Sequence, residues 1–321
     1  MKAVILSDPH FHSYRAFNQD GRRLKNIARV VEEAWDKAAE LNGMLWIPGD
    51  IFNNHQVIST QAAVIVIELF KRKAKQHPNV TVLFISGNHD YATKNMYDKP
   101  AVSAVHALVE LSNNVVCLDN GVYNGGDFDV YGVPYYPDPA DLRKAIGSII
   151  LGDFGTKILL IHQTVGIGIS LVPDDIAAND PLFDGFDAVF NGHVHTYSKV
   201  NAKFYNVGTP IHRDAGDIGK DKGYLIFDTE SGEVERVITT GYPVFRKVPD
   251  NQSVPPEWDE DYILFVPAQI EVTLEEKEIR DRFDHNRLSR AELLKNYLAG
   301  KDSNDQHYKY GNELLAHADK L

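Results

Sequence analysis

The chain has 321 residues, of which 43% are hydrophobic, and a formal net charge of -12 at pH 7. This size and composition are sufficient for one large or two modest domains with a buried core. The negative charge argues against broad, nonspecific adhesion to nucleic acid or anionic membranes, because such adhesion needs a surplus of lysine and arginine.

The N-terminal sequence MKAVILSDPH predicts a first strand, because it lacks the long apolar segment of a signal peptide. No apolar run approaches the roughly 20 residues that span a bilayer. Cys117 is the only cysteine, which excludes an internal disulfide and a zinc site built from cysteines. We therefore expect a cytoplasmic protein that makes no use of a membrane.

The first part of the chain alternates strands with amphipathic helices. Short β-branched runs at 2–7, 44–47 and 80–86 predict strands, and apolar residues at helical spacing predict helices over Arg22–Leu41 and Thr60–Lys75. Such alternation predicts parallel strands covered by helices. In open α/β sheets, ligands bind where the strands end at their carboxyl edge.

After a helix predicted near 101–111, the sequence is rich in strands. The predicted strands cover 114–121, 128–136, 156–163 and 186–195, followed by antiparallel strands at 203–210, 223–229 and 231–239. We predict a two-sheet α/β domain over residues 1–245. A linker and a short cap-like element follow over 246–285, and a helical tail over 286–321.

Polar residues of metal-binding type follow five of the predicted strands. These residues are Asp8, His10, Asp50, Asn88, His89, His162, His193 and His195. Carboxylate, imidazole and amide groups without thiolate suit Mn, Fe or Zn in a mixed nitrogen and oxygen site. These side chains are too many for one ion, so a carboxylate such as Asp50 could bridge two cations. Paired cations of this kind activate water and bind phosphoryl oxygens.

The order of these motifs resembles that of the calcineurin-like metallophosphoesterases. The chain has DPH at 8–10, GD at 49–50, GNHD at 87–90, a lone His162 and GHVH at 192–195. The resemblance implies an α/β sandwich of two sheets with helices on the outer faces. It also implies one metal on Asp8, His10, Asp50 and His195, and a second on Asp50, Asn88, His162 and His193. His89 would be the catalytic acid, and Asp90 would orient its ring.

Within that superfamily the chain is most similar to the nuclease subunit of SbcCD-type complexes. The similarity lies in GDIF at 49–52, GNHDY at 87–91 and NVGTPIHRDAGD at 206–217 followed by KGYLIFD. It implies a Mn-dependent DNA exonuclease or endonuclease of repair and recombination. It further implies a homodimer, through the helices near 22–41 and 101–111, and an SbcC-like coiled-coil ATPase that docks on the helical tail.

Two other functions remain open at this stage. The acidity and the short cap favour a phosphoesterase that acts on a nucleotide, cyclic nucleotide or phosphoprotein, and the chain could also be a metal-binding scaffold that recruits an ATPase without cutting. DNA binding would need local cations near the strand ends. The candidates are Arg15, Arg22, Arg23, Lys94, Lys99, His212 and Arg213. For Tyr135 and Tyr136, packing or a loop role is expected rather than base stacking.

Overall fold

The computed structural model describes residues 1–54, 57–91, 103–165 and 176–266. The chain divides into two compact units, Met1–Val248 with Ser253–Phe265, and Pro249–Gln252 with Val266–Leu321. In the second unit the described residues are 249–252 and 266, where the Asp250 amide donates to the Val266 carbonyl. The predicted helical tail and two of the candidate cations, Lys94 and Lys99, lie outside the described residues.

The described chain contains fourteen strands and three α-helices. The helices are α1 (Arg22–Glu40), α2 (Thr60–Gln76) and α3 (Pro139–Gly147), and 3-10 helices cover Gln19–Gly21, Ala104–Leu111, Pro181–Phe183, Ala215–Asp217 and Pro256–Trp258. The strands are β1 (Lys2–Ile5), β2 (Met44–Pro48), β3 (Val82–Ile85), β4 (Val115–Cys117), β5 (Gly121–Asn124), β6 (Phe128–Val133), β7 (Thr156–His162), β8 (Ala188–Gly192), β9 (Ser198–Lys199), β10 (Phe204–Asn206), β11 (Gly223–Asp228), β12 (Val234–Ile238), β13 (Phe245–Pro249) and β14 (Tyr262–Val266).

The first sheet has six strands in the order β12-β11-β1-β2-β3-β4. Strands β1 to β4 are parallel, as predicted from their alternation with helices. Strand β11 pairs with β1 in antiparallel orientation, with Ala3 opposite Phe227, and β12 continues this antiparallel edge. A late segment of the chain therefore completes the sheet that the N-terminus begins.

The second sheet has the order β5-β6-β7-β8-β10-β9. Strands β6, β7, β8 and β10 are parallel to one another. The predicted antiparallel pairing is confirmed for 223–229 with 231–239, but 203–210 lies in the other sheet, where β10 pairs in parallel with β8, with Tyr205 opposite Phe190, and in antiparallel orientation with β9. Strands β13 and β14 form a separate two-stranded sheet.

Apolar side chains fill three layers of core. Trp46, Phe190 and Phe227 pack against one another between the two sheets. On the outer face of the first sheet, Trp35 of α1 packs edge-on against Phe70 of α2 with ring centroids 5.4 Å apart. Helix α3 covers the outer face of the second sheet. The predicted sandwich with helices on its outer faces is therefore confirmed.

Two of the three α-helices in the described residues, α2 and α3, begin at a side chain that caps them. The Ser59 hydroxyl accepts a hydrogen bond from the Ala62 amide at 3.1 Å at the start of α2. The Asp138 side chain accepts a hydrogen bond from the Ala140 amide at 2.8 Å at the start of α3, whose first residue is Pro139. No helix was expected in this strand-rich region. The segment 104–111, predicted as a helix, is a 3-10 helix. Among the described helices, none combines the length and the apolar character that a membrane span requires.

Candidate metal centre

The candidate ligands lie at the carboxyl ends of strands from both sheets, where the chain turns sharply. Asp8, His10, Asp50 and His193 have φ of 53°, 50°, 53° and 70°, a region that costs a residue with a side chain about 1 kcal/mol or more. Such turns stop the strand and direct successive side chains toward the same edge. The strain is thus concentrated at the positions where ligands are needed.

The first cluster joins Asp8, His10, Asp50 and His195, whose ligand atoms all lie within 4.8 Å of one another. The Nε2 atoms of His10 and His195 are 3.0 Å apart, and each lies 3.7 Å from Asp8 Oδ1. Atoms that bind one cation at about 2.1 Å lie roughly 3 to 4 Å from one another. The spacing of this cluster therefore fits a shared ion.

The second cluster joins Asp50, Asn88, His162 and His193. Asn88 Oδ1 lies 3.1 Å from His162 Nε2 and 2.9 Å from His193 Nδ1, and His162 Nε2 lies 3.3 Å from Asp50 Oδ2. His162 Nδ1 donates to the Pro48 carbonyl at 2.8 Å, which leaves Nε2 as the nitrogen that faces the cluster. The structure thus brings all seven predicted ligands together, with Asp50 common to both clusters.

The carboxylate of Asp50 tests whether these residues suit metal ions. Its Oδ1 accepts from the His89 amide at 2.8 Å, but the buried Oδ2 has no hydrogen bond of good geometry within the described part of the chain. Burial alone would raise the pKa of Asp50, but His162 and His10 outweigh burial and hold it well below its usual range. An ionised, buried oxygen that faces imidazole nitrogens fits a cation site.

The imidazoles of the centre favour the neutral form, in which they can bind a metal. Burial lowers the pKa of His193 to about 4 and that of His195 to about 3. Burial also lowers the pKa of His10 well below its usual value. His162 is the exception, because Asp50 and Asp8 outweigh the effect of burial and raise its pKa to about 9. A cation at Asp50 would replace that proton.

Asp90 occupies a position different from the expected one. Its carboxylate accepts from the backbone amides of Phe52 at 2.8 Å, Gly87 at 2.9 Å and Ile51 at 3.3 Å. The interpretation of Asp90 as the partner of the His89 ring is therefore corrected: Asp90 fixes the two turns that carry Asp50 and Asn88. Burial, with a smaller contribution from Asp50, raises its pKa to about 8.

The ring of His89 is oriented by a backbone atom that motif analysis does not reveal. His89 Nδ1 donates to the carbonyl of Asn53 at 2.5 Å, and the ring lies edge-on to His10 with centroids 5.1 Å apart. Asn53 belongs to none of the motifs named in the sequence. Its backbone oxygen contributes irrespective of its side chain.

Gly87 is required because the loop carrying Asn88 crosses directly over Asp50. A Cβ atom at Gly87 would lie 2.2 Å from Asp50 Oδ1 and 2.4 Å from the Asp50 nitrogen. We expect Gly87→Ala to destabilise the protein by about 1–3 kcal/mol, as overpacking does elsewhere, and to weaken metal binding. Thermal unfolding with and without Mn measures both effects. Gly147→Ala is the control, because a Cβ atom added at Gly147 would have nothing within 4 Å. Equal melting temperatures and equal stabilisation by Mn in the two variants would contradict the prediction.

Two further residues of the centre follow from tertiary contacts. The Tyr135 ring stacks on His193 with centroids 5.7 Å apart, so this tyrosine packs against a candidate ligand. Arg213 Nη1 lies 3.0 Å from His10 Nε2 and 3.3 Å from His195 Nε2. In the sequence, Arg213 was one of several cations near strand ends and lay within the NVGTPIHRDAGD similarity at 206–217. Neither observation indicated its approach to the ligands.

A second group of metal-binding side chains lies apart from these clusters. His106, Cys117 and Asp119 lie within 4.8 Å of one another. The Asp119 carboxylate, however, accepts from the Ser86 amide at 2.7 Å, the Ser86 hydroxyl at 2.6 Å and His106 at 2.8 Å. Because its oxygens are occupied in this way, Asp119 anchors the loop after β3.

The match to a protein-family model agrees with the geometry. Residues 1–197 match the calcineurin-like phosphoesterase family, so the match covers more than half of the chain and contains all seven candidate ligands. No curated protein sequence matches significantly. Among solved structures, a hypothetical protein from Thermus thermophilus is similar at 13% sequence identity with a TM-score of 0.41, over 74% of this chain and 99% of that one.

Proposed function

Because this chain belongs to the calcineurin-like phosphoesterase family, whose members hydrolyse phosphoesters with bound metal ions, we propose that it is a two-metal phosphodiesterase that cleaves DNA. The convergence of seven strand-end side chains, with Asp50 common to both clusters, is the observation that carries the phosphoesterase part. Similarity of GNHDY and NVGTPIHRDAGD to the SbcCD-type nuclease subunit supports DNA as the substrate.

Asp8, His10, Asp50 and His195 would hold one cation, and Asp50, Asn88, His162 and His193 the other. When bound, two such cations neutralise phosphoryl oxygens and lower the pKa of a water molecule toward ~7. The mixed nitrogen and oxygen donors are compatible with Mn, Fe or Zn, and we propose Mn. The Asp90 carboxylate and the His162 ring both form hydrogen bonds to backbone atoms. These bonds would hold the two clusters in fixed positions relative to each other.

His89 would supply a proton to the leaving oxygen. Its Nδ1–H is committed to the Asn53 carbonyl, which fixes the plane of the ring and makes Nε2 the nitrogen for proton transfer. The edge-on contact of the ring with His10, beside the first cluster, supports this role, and His89 is not one of the seven proposed ligands. Its task is thus distinct from that of the metal-binding imidazoles.

The resemblance also supports two proposals about assembly. We propose that the chain forms a homodimer and works with an SbcC-like ATPase that binds the segment 286–321. These proposals depend on the similarity to the SbcCD-type subunit and can fail without affecting the phosphoesterase chemistry. Size-exclusion chromatography with light scattering would measure the dimer, and the same measurement after addition of an SbcC-like ATPase, with and without residues 286–321, would measure its binding.

The proposed function predicts Mn-dependent release of nucleotides from DNA. The purified protein, treated with chelator and then supplied with Mn, is offered linear duplex DNA, single-stranded DNA and a cyclic nucleotide in parallel. Cleavage of DNA is expected, with loss of activity when Mn is withheld. The net charge of -12 favours the other candidate, a phosphoesterase for small nucleotides; rapid turnover of the cyclic nucleotide with intact DNA would establish that alternative.

A further inference from the structure

We propose that Arg213 binds the phosphoryl group of the substrate beside the first metal cluster. The inference deepens the proposed function and rests on it, since it names the residue that would recognise the phosphoester at this site. Arg213 belongs to the loop after β10. Its Nη1 atom lies 3.0 Å from His10 Nε2 and 3.3 Å from His195 Nε2 in the first cluster.

The contacts of Arg213 Nη1 imply that an anion binds between the guanidinium and a metal ion held by the first cluster. An imidazole Nε2 offers a single lone pair, which either accepts a hydrogen bond or binds a cation. With metal bound to His10 and His195, the guanidinium would lose both acceptors and would lie close to a positive ion. A guanidinium has no acceptor atom and cannot itself bind a metal. A negatively charged group between the two positive charges removes the repulsion, and a phosphoryl oxygen fits both the metal and the arginine.

A buried series of contacts connects the backbone of Arg213 to the backbone of His195. The Arg213 amide donates to Asp217 Oδ2 at 2.7 Å, and the other oxygen of Asp217 pairs with Lys222 at 2.5 Å. Lys222 in turn donates to the His195 carbonyl at 2.9 Å. Asp217 and Lys222 are almost fully buried, so this ion pair fixes the distance between Arg213 and His195.

A second series of contacts connects the backbone of Arg213 to the backbone of His10. The guanidinium of Arg23 donates to the Arg213 carbonyl and lies over the Tyr14 ring, 3.6 Å from its centroid. Tyr14 donates its hydroxyl hydrogen to the His10 carbonyl at 3.2 Å. The backbone of Arg213 is therefore connected to the backbones of both histidines that its side chain faces, an arrangement that an incidental surface arginine would not require.

The negative groups around Arg213 leave room for a substrate. Asp214 Oδ2 lies 3.5 Å from Arg213 Nε, whereas the imidazoles face Nη1, and this carboxylate is more than half exposed. The Arg213 side chain is itself about one quarter exposed, so the centre is open to solvent at this point. A phosphodiester that enters here meets the arginine and the first cluster together.

The test uses Arg213→Gln, which removes the charge, and Arg213→Lys, which keeps the charge but removes the planar fork. Arg72→Gln is the matched control, because Arg72 is an exposed arginine of α2 that pairs with Glu32. Three quantities are measured on the full chain: Mn content after desalting, the affinity of the Mn-loaded protein for inorganic phosphate by calorimetry, and kcat and KM for bis(p-nitrophenyl) phosphate.

We expect Arg213→Gln to keep its Mn, to bind phosphate about 10- to 100-fold more weakly and to raise KM more than it lowers kcat. The lysine variant should be intermediate, and the control unchanged. Unchanged phosphate affinity in Arg213→Gln would overturn the inference. If Mn affinity rises at the same time, Arg213 instead competes with the cation. A wild-type protein that binds phosphate through Arg213 but hydrolyses no phosphoester would refute the proposed function alone.

Discussion

Asp50→Asn is expected to weaken Mn binding by more than about 100-fold and to abolish phosphoester hydrolysis. Loss of a group that merely orients a metal ligand commonly costs about 10- to 100-fold in affinity, and Asp50 is common to both clusters. The amide is isosteric, and its oxygen can still accept from the His89 amide, as Oδ1 does at 2.8 Å. The NH₂ group then replaces Oδ2 and presents hydrogens where a cation would bind. Metal content by mass spectrometry and the hydrolysis rate measure the effect.

The stability of the metal-free variant distinguishes this cause from misfolding. His162 and His10 stabilise the charge of Asp50 and hold its pKa well below the usual range, so Asp50→Asn should lower the melting temperature of the metal-free protein while a cooperative unfolding transition shows that the variant still folds. Addition of Mn should then raise the melting temperature of wild type but not that of Asp50→Asn. Asp129→Asn, at the far end of β6, is the control for a buried aspartate. Full Mn content and activity in Asp50→Asn would refute the two-cluster interpretation.

His89→Gln is expected to lower kcat for DNA by about 100- to 10,000-fold while the metal content stays at the wild-type level. The reason is that a general acid is lost while the seven ligands are retained. The loss should be much smaller for a p-nitrophenyl ester than for DNA, because p-nitrophenolate leaves without needing a proton. Turnover of both substrates by the same preparation measures the difference.

His12→Gln is the matched control for this variant. His12 lies two residues after His10 and packs edge-on against Tyr14, with centroids 5.1 Å apart, so its replacement perturbs the same loop. We expect its kinetics to remain close to those of wild type. An equal loss for both leaving groups in His89→Gln, or a loss of Mn, would show that His89 acts on the structure or the metals and not as an acid.

Much of the first sheet was predictable because its signals are local. Helix α1 follows from apolar residues at helical spacing, and α2 begins at a serine cap. The order of strand-end residues was also predictable, since parallel strands end at one edge. Strand pairing was not: β10 has the composition of its neighbours, and only the tertiary fold determines that it pairs with β8. Helix α3 carried a usable signal, Asp138 followed by Pro139, within a region dominated by strand-forming residues.

The finer features of the site depend on atoms that a sequence does not distinguish. The backbone carbonyls of Asn53 and Pro48 orient His89 and His162, and any residue could supply a carbonyl. Asp90 illustrates the opposite case, because a carboxylate next to a catalytic histidine predicts a contact that the turn geometry directs elsewhere. Arg213 reaches His10 from 203 positions away. Such approaches arise from the packing of the two sheets.

Strand β11 lies late in the sequence, and this position affects when the newly synthesised protein can complete its first sheet. The region that matches the family ends at residue 197, whereas β1 needs Gly223–Asp228 of β11 to cover its free side. A fragment ending there would contain every candidate ligand and still expose the backbone of the strand that leads into Asp8 and His10. We therefore expect β1 to complete its pairing only after the ribosome has released Gly223–Asp228, more than two hundred residues after the N-terminal motif.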